Sequence, residues 1–220
     1  MGPGVDRLQR GPVVTLSLPL RGPCRVQNSP ANRVPSHGTD ALGSTYAIDL
    51  VPVDENGRSA PRTWRGLVAA EPPELFVGFG QSVCSPVSGV VDIVHDDEPD
   101  HWARRSQLAL IPYMMGQSRR AGLGASGLAG NHVVIAIGPR GPSVVLAHLQ
   151  RGSVRVHSGQ PVHDGDPVAR CGNSGNSTEP HLHLQVSDST DWPNARGLPF
   201  RFRRSNGGTW MPSNSEIVRR

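Results

Sequence analysis

Lysine is absent from this 220-residue chain, and all 22 basic side chains are arginines. They occur in runs no longer than two and face 18 acidic residues, which leaves a formal charge of only +4. Aromatic residues are scarce as well, at 5%. A nucleic-acid groove combines a basic stripe with stacking rings, so no nucleic-acid partner is expected. The small positive surplus suits an anionic polymer or substrate instead. Only three cysteines occur, Cys24, Cys84 and Cys171, with no Cys-x-x-Cys among them. Their odd number and wide spacing exclude a disulfide framework and a thiolate zinc knuckle, and buried free thiols are the expectation. No run of about 18 apolar residues is present, and no apolar core of an export signal follows the first Met. No transmembrane segment and no general signal peptide are therefore expected, and by sequence the chain reads as cytoplasmic. There is no internal repeat.

What the chain has in quantity is glycine (26) and proline (21), with a hydrophobic fraction of 36%. That mixture predicts short strands joined by many turns. Alternating or apolar runs predict strands over 13–20, 46–52, 132–137, 143–149, 153–157, 167–171 and 181–186, and two more around a Ser-Gly turn within 83–94. A helical turn is expected near 63–70 on a surface excursion spanning 54–82. Residues 95–130 read as an insertion with a helix within 102–118, followed by a mobile Gly/Ala/Ser-rich stretch (119–130). The block 95–101 holds two histidines and four carboxylates. A charge run bounded by proline is usually a solvated loop, and that reading is preferred here to a second metal site. The expected organisation is an N-terminal extension (1–24), one domain (25–188) with the insertion at 95–130, and a peripheral C-terminal tail (189–220). The expected fold is mainly β, an antiparallel sheet or sandwich with a short helical insertion.

The stretch that carries chemistry is Cys-Gly-Asn-Ser-Gly-Asn-Ser-Thr-Glu-Pro-His-Leu-His-Leu-Gln-Val (171–186). Side chains alternate faces along a strand, so His181, His183 and Gln185 share one face and Leu182, Leu184 and Val186 the other. Neutral imidazole is the commonest metal ligand, and a strand holds two of them more exactly in place than a loop does. Upstream, Asp49 interrupts an otherwise apolar strand. An unpaired buried carboxylate is costly, so Asp49 is expected to meet a cation or a hydrogen-bonding partner, with Arg33 as a candidate guanidinium. His37 stands in a long irregular loop, of the kind that is often functional, and His148 ends a strand. Catalytic zinc typically takes three protein ligands and leaves a fourth position open.

This set of features resembles the M23 peptidase family, the LytM/lysostaphin-like zinc endopeptidases. The resemblance covers roughly 33–186 apart from the middle insertion. It is carried by Gly-Asn-His-Val-Val-Ile (130–135), Ala-His-Leu (147–149), Gly-Asp-Pro-Val (165–168) and the 172–186 run, which looks like the family's G-x-T/S-G-x-S-x-x-P-H-L-H-F-E segment. It implies the LytM (duplicated hybrid motif) fold and one Zn2+ per chain. It implies His37, Asp49 and His183 as metal ligands, with His148 and His181 as catalytic histidines. It also implies hydrolysis of amide bonds in peptidoglycan cross-bridges or stem peptides, a bacterial source and action at the cell wall. The chain departs from the pattern at three places. His37 and Asp49 stand twelve positions apart, with Asp40 as a rival at short spacing; the aromatic–Glu pair after the second His is Leu184–Gln185; and the loops at 54–82 and 95–130 are long. Two other readings are a non-catalytic LytM-like wall-binding or activator module, and a site in which His181 and His183 both bind one metal.

Overall fold

The structure is a computed structural model that describes residues 13–62, 69–105, 124–139 and 141–220. Thirteen strands form among these residues. They are β1 (Val14–Leu16), β2 (Cys24–Gln27), β3 (Ile48–Pro52), β4 (Ser82–Cys84), β5 (Gly89–His95), β6 (Asn131–Ala136), β7 (Ser143–Leu149), β8 (Pro161–Val162), β9 (Pro167–Arg170), β10 (Leu182–Ser187), β11 (Phe200–Arg203), β12 (Thr209–Trp210) and β13 (Ile217–Val218). Eight of them make one sheet in the order β13-β2-β3-β10-β7-β6-β5-β8, with β1-β11-β12 and β4-β9 as two smaller sheets. Every pairing is antiparallel except β1 with β11. Among the described residues the fold is thus mainly β and antiparallel, with one short α-helix, α1 (Gly124–Ala129), before β6.

The eight-stranded sheet has two differently occupied faces. On one, Ile48, Leu50, Leu182, Leu184, Val186, Val144, Leu146, Val133 and Ile135 join Leu16, Val83, Val168, Phe200 and Phe202 from the smaller sheets in a single core. Each fully buried Leu or Phe stabilises this layer by roughly 1.5–3 kcal/mol. The other face carries the polar members of the same strands. Register sets Gln27 beside Asp49, Asp49 beside His183 and His183 beside Ala147, a row running straight across β2, β3, β10 and β7. The hydrophobic alternation in the sequence therefore decides both which side chains make the core and which face carries the histidines.

Several expectations need correction. The C-terminal segment is not peripheral: β11 pairs with β1, β13 pairs with β2, and Phe200 and Phe202 are fully buried. The four residues Phe-Arg-Phe-Arg alternate buried and exposed, so what reads as a basic cluster is an amphipathic strand. Residues 153–157 form no strand; Arg155 N–H reaches Val168 O, while Val154 N–H is taken by the Asp96 side chain. The charge block is only partly solvated. Asp100 accepts backbone N–H groups of Arg151 (2.9 Å) and Asn173 (2.6 Å), so the block anchors neighbouring loops. Within the Gly/Ala/Ser-rich stretch 119–130, Gly124–Ala129 form α1. Residues 102–105 are not helical, and the rest of the helix expected within 102–118, like most of the turn expected near 63–70, lies outside the described residues. The three cysteines are free and buried, and burial alone pushes the Cys24 thiol up to about 12. Among the described residues no helix is long and apolar enough to cross a membrane.

Candidate metal centre

Asp49 is 5% exposed and sits at the centre of a ring of imidazoles. His37 Nε2 lies 3.0 Å from Oδ2, His183 Nδ1 lies 2.9 Å from Oδ1, and His181 Nε2 lies 3.6 Å from Oδ1. Asn28 Nδ2 donates to Oδ2 at 2.7 Å. Arg33, the candidate guanidinium partner, instead donates to Ser36 O. Burial by itself would raise the Asp49 carboxyl, but the charge of His181 and hydrogen bonding from His181, His183 and His37 hold it well below the ordinary carboxylate range. One ligand atom each from His37, Asp49 and His183 lies within 4.8 Å of the other two, and no other such group of three occurs among the described residues. Asp40, the rival carboxylate, is exposed and outside this group.

The hydrogen bonds on the far side of each ring decide what faces inward. Gln185 Nε2 donates to Leu42 O, which fixes the amide so that Oε1 accepts from His183 Nε2–H at 3.1 Å. An imidazole whose proton sits on Nε2 presents a lone pair at Nδ1. Ser36 Oγ donates to Ser44 O and can accept from His37 Nδ1–H at 3.0 Å, leaving a lone pair on His37 Nε2. Two nitrogen lone pairs then point at the two oxygens of one carboxylate. That arrangement is repulsive unless protons or a cation lie between them. The donor set of two imidazoles and one carboxylate fits Zn2+, and such a three-ligand set is of the kind that keeps a position open. Oriented outer hydrogen bonds of this type fix the tautomer of a metal-binding histidine.

His148 and His181 stand beside this group, their ring centroids 4.8 Å apart. His148 Nδ1–H donates to Ser174 O (2.9 Å) and His181 Nδ1–H to Glu179 O (2.8 Å), so each ring turns Nε2 away from its backbone anchor. Burial, then the neighbouring His181 and His183, drive the His148 pKa well below the ordinary histidine value. Burial also opposes charge on His181, but the Asp49 carboxylate reverses that and raises its pKa. All five histidines and carboxylates singled out in the sequence line one cavity of about 410 Å³, walled by Leu42, Trp192, Leu128 and Ala129.

How His148 reaches this cavity is not written in the alternation. Val144 and Leu146 point into the core, so strict period two would send His148 there as well. A bulge intervenes: Asn131 pairs with Leu149 and His132 with Ala147, which leaves His148 as the extra residue. Its φ of +62° turns the imidazole to the site face and returns Leu149 to the core. Sequence reasoning also missed Asn28 and Ser36, which hold Asp49 and His37, and although Ser174 stands in the 172–186 run, the hold of its carbonyl on His148 was not read from it. Asn28, with a φ of +49° just after β2, is of a type enriched in that conformation.

The fold and the site together define a mainly β protein with a candidate cation site of two histidines and one carboxylate, flanked by two further buried histidines. Over residues 114–195 the chain matches the family model Peptidase family M23. Among solved structures, it is similar to a putative peptidase M23 from Pseudomonas aeruginosa (17% identity, 84% of this chain and 47% of that one, TM-score 0.41). It is also similar to a putative glycyl-glycine endopeptidase lytM from Ruminococcus gnavus (16%, 83% and 56%, 0.42). A third is the catalytic domain of the antimicrobial peptidase lysostaphin from Staphylococcus simulans (15%, 73% and 86%, 0.39). The chain spans about half the length of the first two.

Proposed function

We propose that the chain is a zinc-dependent endopeptidase that hydrolyses amide bonds, with peptidoglycan cross-bridges or stem peptides as the substrate class. The observation that carries this reading is the convergence of two imidazole lone pairs on both oxygens of Asp49, next to a histidine pair with opposed proton affinities. His37, Asp49 and His183 would hold one Zn2+. The ion would supply Lewis-acid polarisation of a carbonyl and an acidified water.

The protein's own groups do the rest. His148, kept neutral by burial, has Nε2 available to take a proton from the attacking water. His181, favoured in its charged form by Asp49, can hold a hydrogen bond to the developing oxyanion without giving up its proton, and then transfer that proton to the leaving nitrogen. Pairs of titratable groups whose environments push their pKa values apart are suited to such a division of labour. The Ser174 and Glu179 carbonyls keep both rings turned to the same space. Trp192, Leu42 and Ala129 supply apolar wall, which strengthens electrostatic interactions in the cavity.

Elemental analysis of the purified protein is the test. About one zinc per chain is expected. His183→Ala should lose it, whereas His181→Ala should retain the metal and lose most turnover on a cell-wall peptide. Retention of full metal by both variants would refute the ligand assignment. Zinc in the wild type without hydrolysis of any wall peptide would favour the binding-module reading instead.

A further inference from the structure

A second concavity adjoins the candidate centre, and its charged lining is mostly arginine. A pocket of about 540 Å³ is walled by Arg25, Arg58, Arg62, Arg104 and Arg105, with Glu179 as its one carboxylate. Thr178 and Glu179 line both this pocket and the cavity that holds the histidines, so the two spaces adjoin along these residues. Strand β2 links them as well. Arg25 and Gln27 project from one face of β2, roughly 7 Å apart, and Gln27 stands beside Asp49 in register.

The arginines are not equivalent. Arg105 is held in a two-pronged pair with the buried Glu71, both contacts at 2.8 Å, so its charge is already matched. Arg25 donates through Nη1 to Gly57 O, a neutral partner that orients the guanidinium without cancelling it. Among the described residues, Arg25, Arg58 and Arg62 form no ion pair. Glu179 is tied to the Ser59 hydroxyl at 2.7 Å. The pocket thus keeps a surplus of planar, permanently charged donors beside the place where a peptide would be cut. Arginine is the side chain suited to two-pronged recognition of a carboxylate.

We infer that this pocket binds a carboxylate of the substrate, which makes the chain selective for acidic peptides. The inference rests on the peptidase reading for what occupies the adjoining cavity. It stands apart from that reading in what it predicts about binding. A peptide lying across the centre extends past Thr178 and Glu179, and its acidic side chain or terminal carboxylate meets Arg25, Arg58 and Arg62.

The test uses glycine–alanine hexapeptides that carry one glutamate at successive positions, each with a glutamine counterpart. Binding to the zinc-loaded protein is followed by calorimetry and cleavage by product release. At one or two positions the glutamate peptide should bind at least about tenfold more tightly, as expected for charged hydrogen bonds, and the preference should shrink as salt is raised. Arg58→Gln/Arg62→Gln should reduce the ratio; adding Arg25→Gln should abolish the remaining preference. Equal binding of glutamate and glutamine peptides at every position would overturn the inference. So would a preference that survives the triple substitution in protein that is still folded by circular dichroism. Selective binding without cleavage would keep the pocket and remove the peptidase reading. Cleavage without selectivity would do the reverse.

Discussion

Gln185 shows how one side chain sets the chemistry of another. Its amide has a donor end and an acceptor end, and the Leu42 carbonyl, which can only accept, decides which end faces His183. The proton is thereby kept on Nε2 and the lone pair of Nδ1 is aimed at the candidate ion site. The family pattern has a glutamate at this position, and a glutamine serves because one oxygen suffices to accept the Nε2 proton. Gln185→Ala should therefore keep the fold and lower zinc affinity by roughly 10–100-fold. Competition with a chromogenic chelator measures this, and an unchanged affinity would show that the amide does not hold the tautomer. The same logic explains why the supporting roles of Ser36 and Ser174 escaped sequence reasoning, although Ser174 stands within the 172–186 run. A serine hydroxyl or a backbone carbonyl does not signal which histidine it supports, and only the folded chain brings it within 3.0 Å.

At the scale of elements, the bulge in β7 is the device that completes the site. The sequence shows Val-Val-Leu-Ala-His-Leu, which by period two sends His148 into the core with Val144 and Leu146. The extra residue opposite β6 reverses this, and the left-handed φ of His148 is the local cost. Substitutions at this position separate backbone from chemistry. His148→Gly relieves the conformation, so it should retain stability and metal while losing most turnover. His148→Val, β-branched at a positive φ, should be less stable than the glycine variant by more than about 1 kcal/mol. Urea midpoints of the two variants check the difference. A valine variant as stable as the glycine variant would mean that the bulge is not held in place. The loop that supplies the Ser174 carbonyl depends on close backbone approach as well: a Cβ at Gly175 would lie 2.4 Å from the nitrogen of Gly130. That contact explains a glycine at a φ of +69° next to the group that orients His148.

For the molecule as a whole, the two chain ends close the layer opposite the site. β1 and β11 pair in parallel although they lie nearly the full chain apart, and Phe202 is fully buried between the sheets. Phe202→Ala should destabilise the protein by about 3–5 kcal/mol, read as a lower denaturant midpoint, although it touches nothing in the site. A variant with the wild-type midpoint would show that this segment is dispensable. Removing the core beneath β10 and β3 would loosen the row that sets Asp49 beside His183, so zinc retention should fall as the midpoint does. The long-range parallel pairing was not legible beforehand. A four-residue amphipathic strand gives too short a pattern to distinguish from a basic cluster, and its partner is chosen by space rather than by neighbours in sequence.

Alternation of apolar and polar residues was enough to determine the mainly antiparallel fold. It also determined the core face of β10 and the shared polar face of His181, His183 and Gln185, because a strand's side chains have no freedom to choose sides. It was also enough to single out Asp49, since a carboxylate inside an apolar strand needs a partner. Tertiary structure alone decided who that partner is, which nitrogen of each imidazole looks inward, and that His148 turns away from the core. Those outcomes depend on backbone carbonyls, hydroxyls and a bulge brought together from distant parts of the chain, and their energies exist only once the sheet has closed.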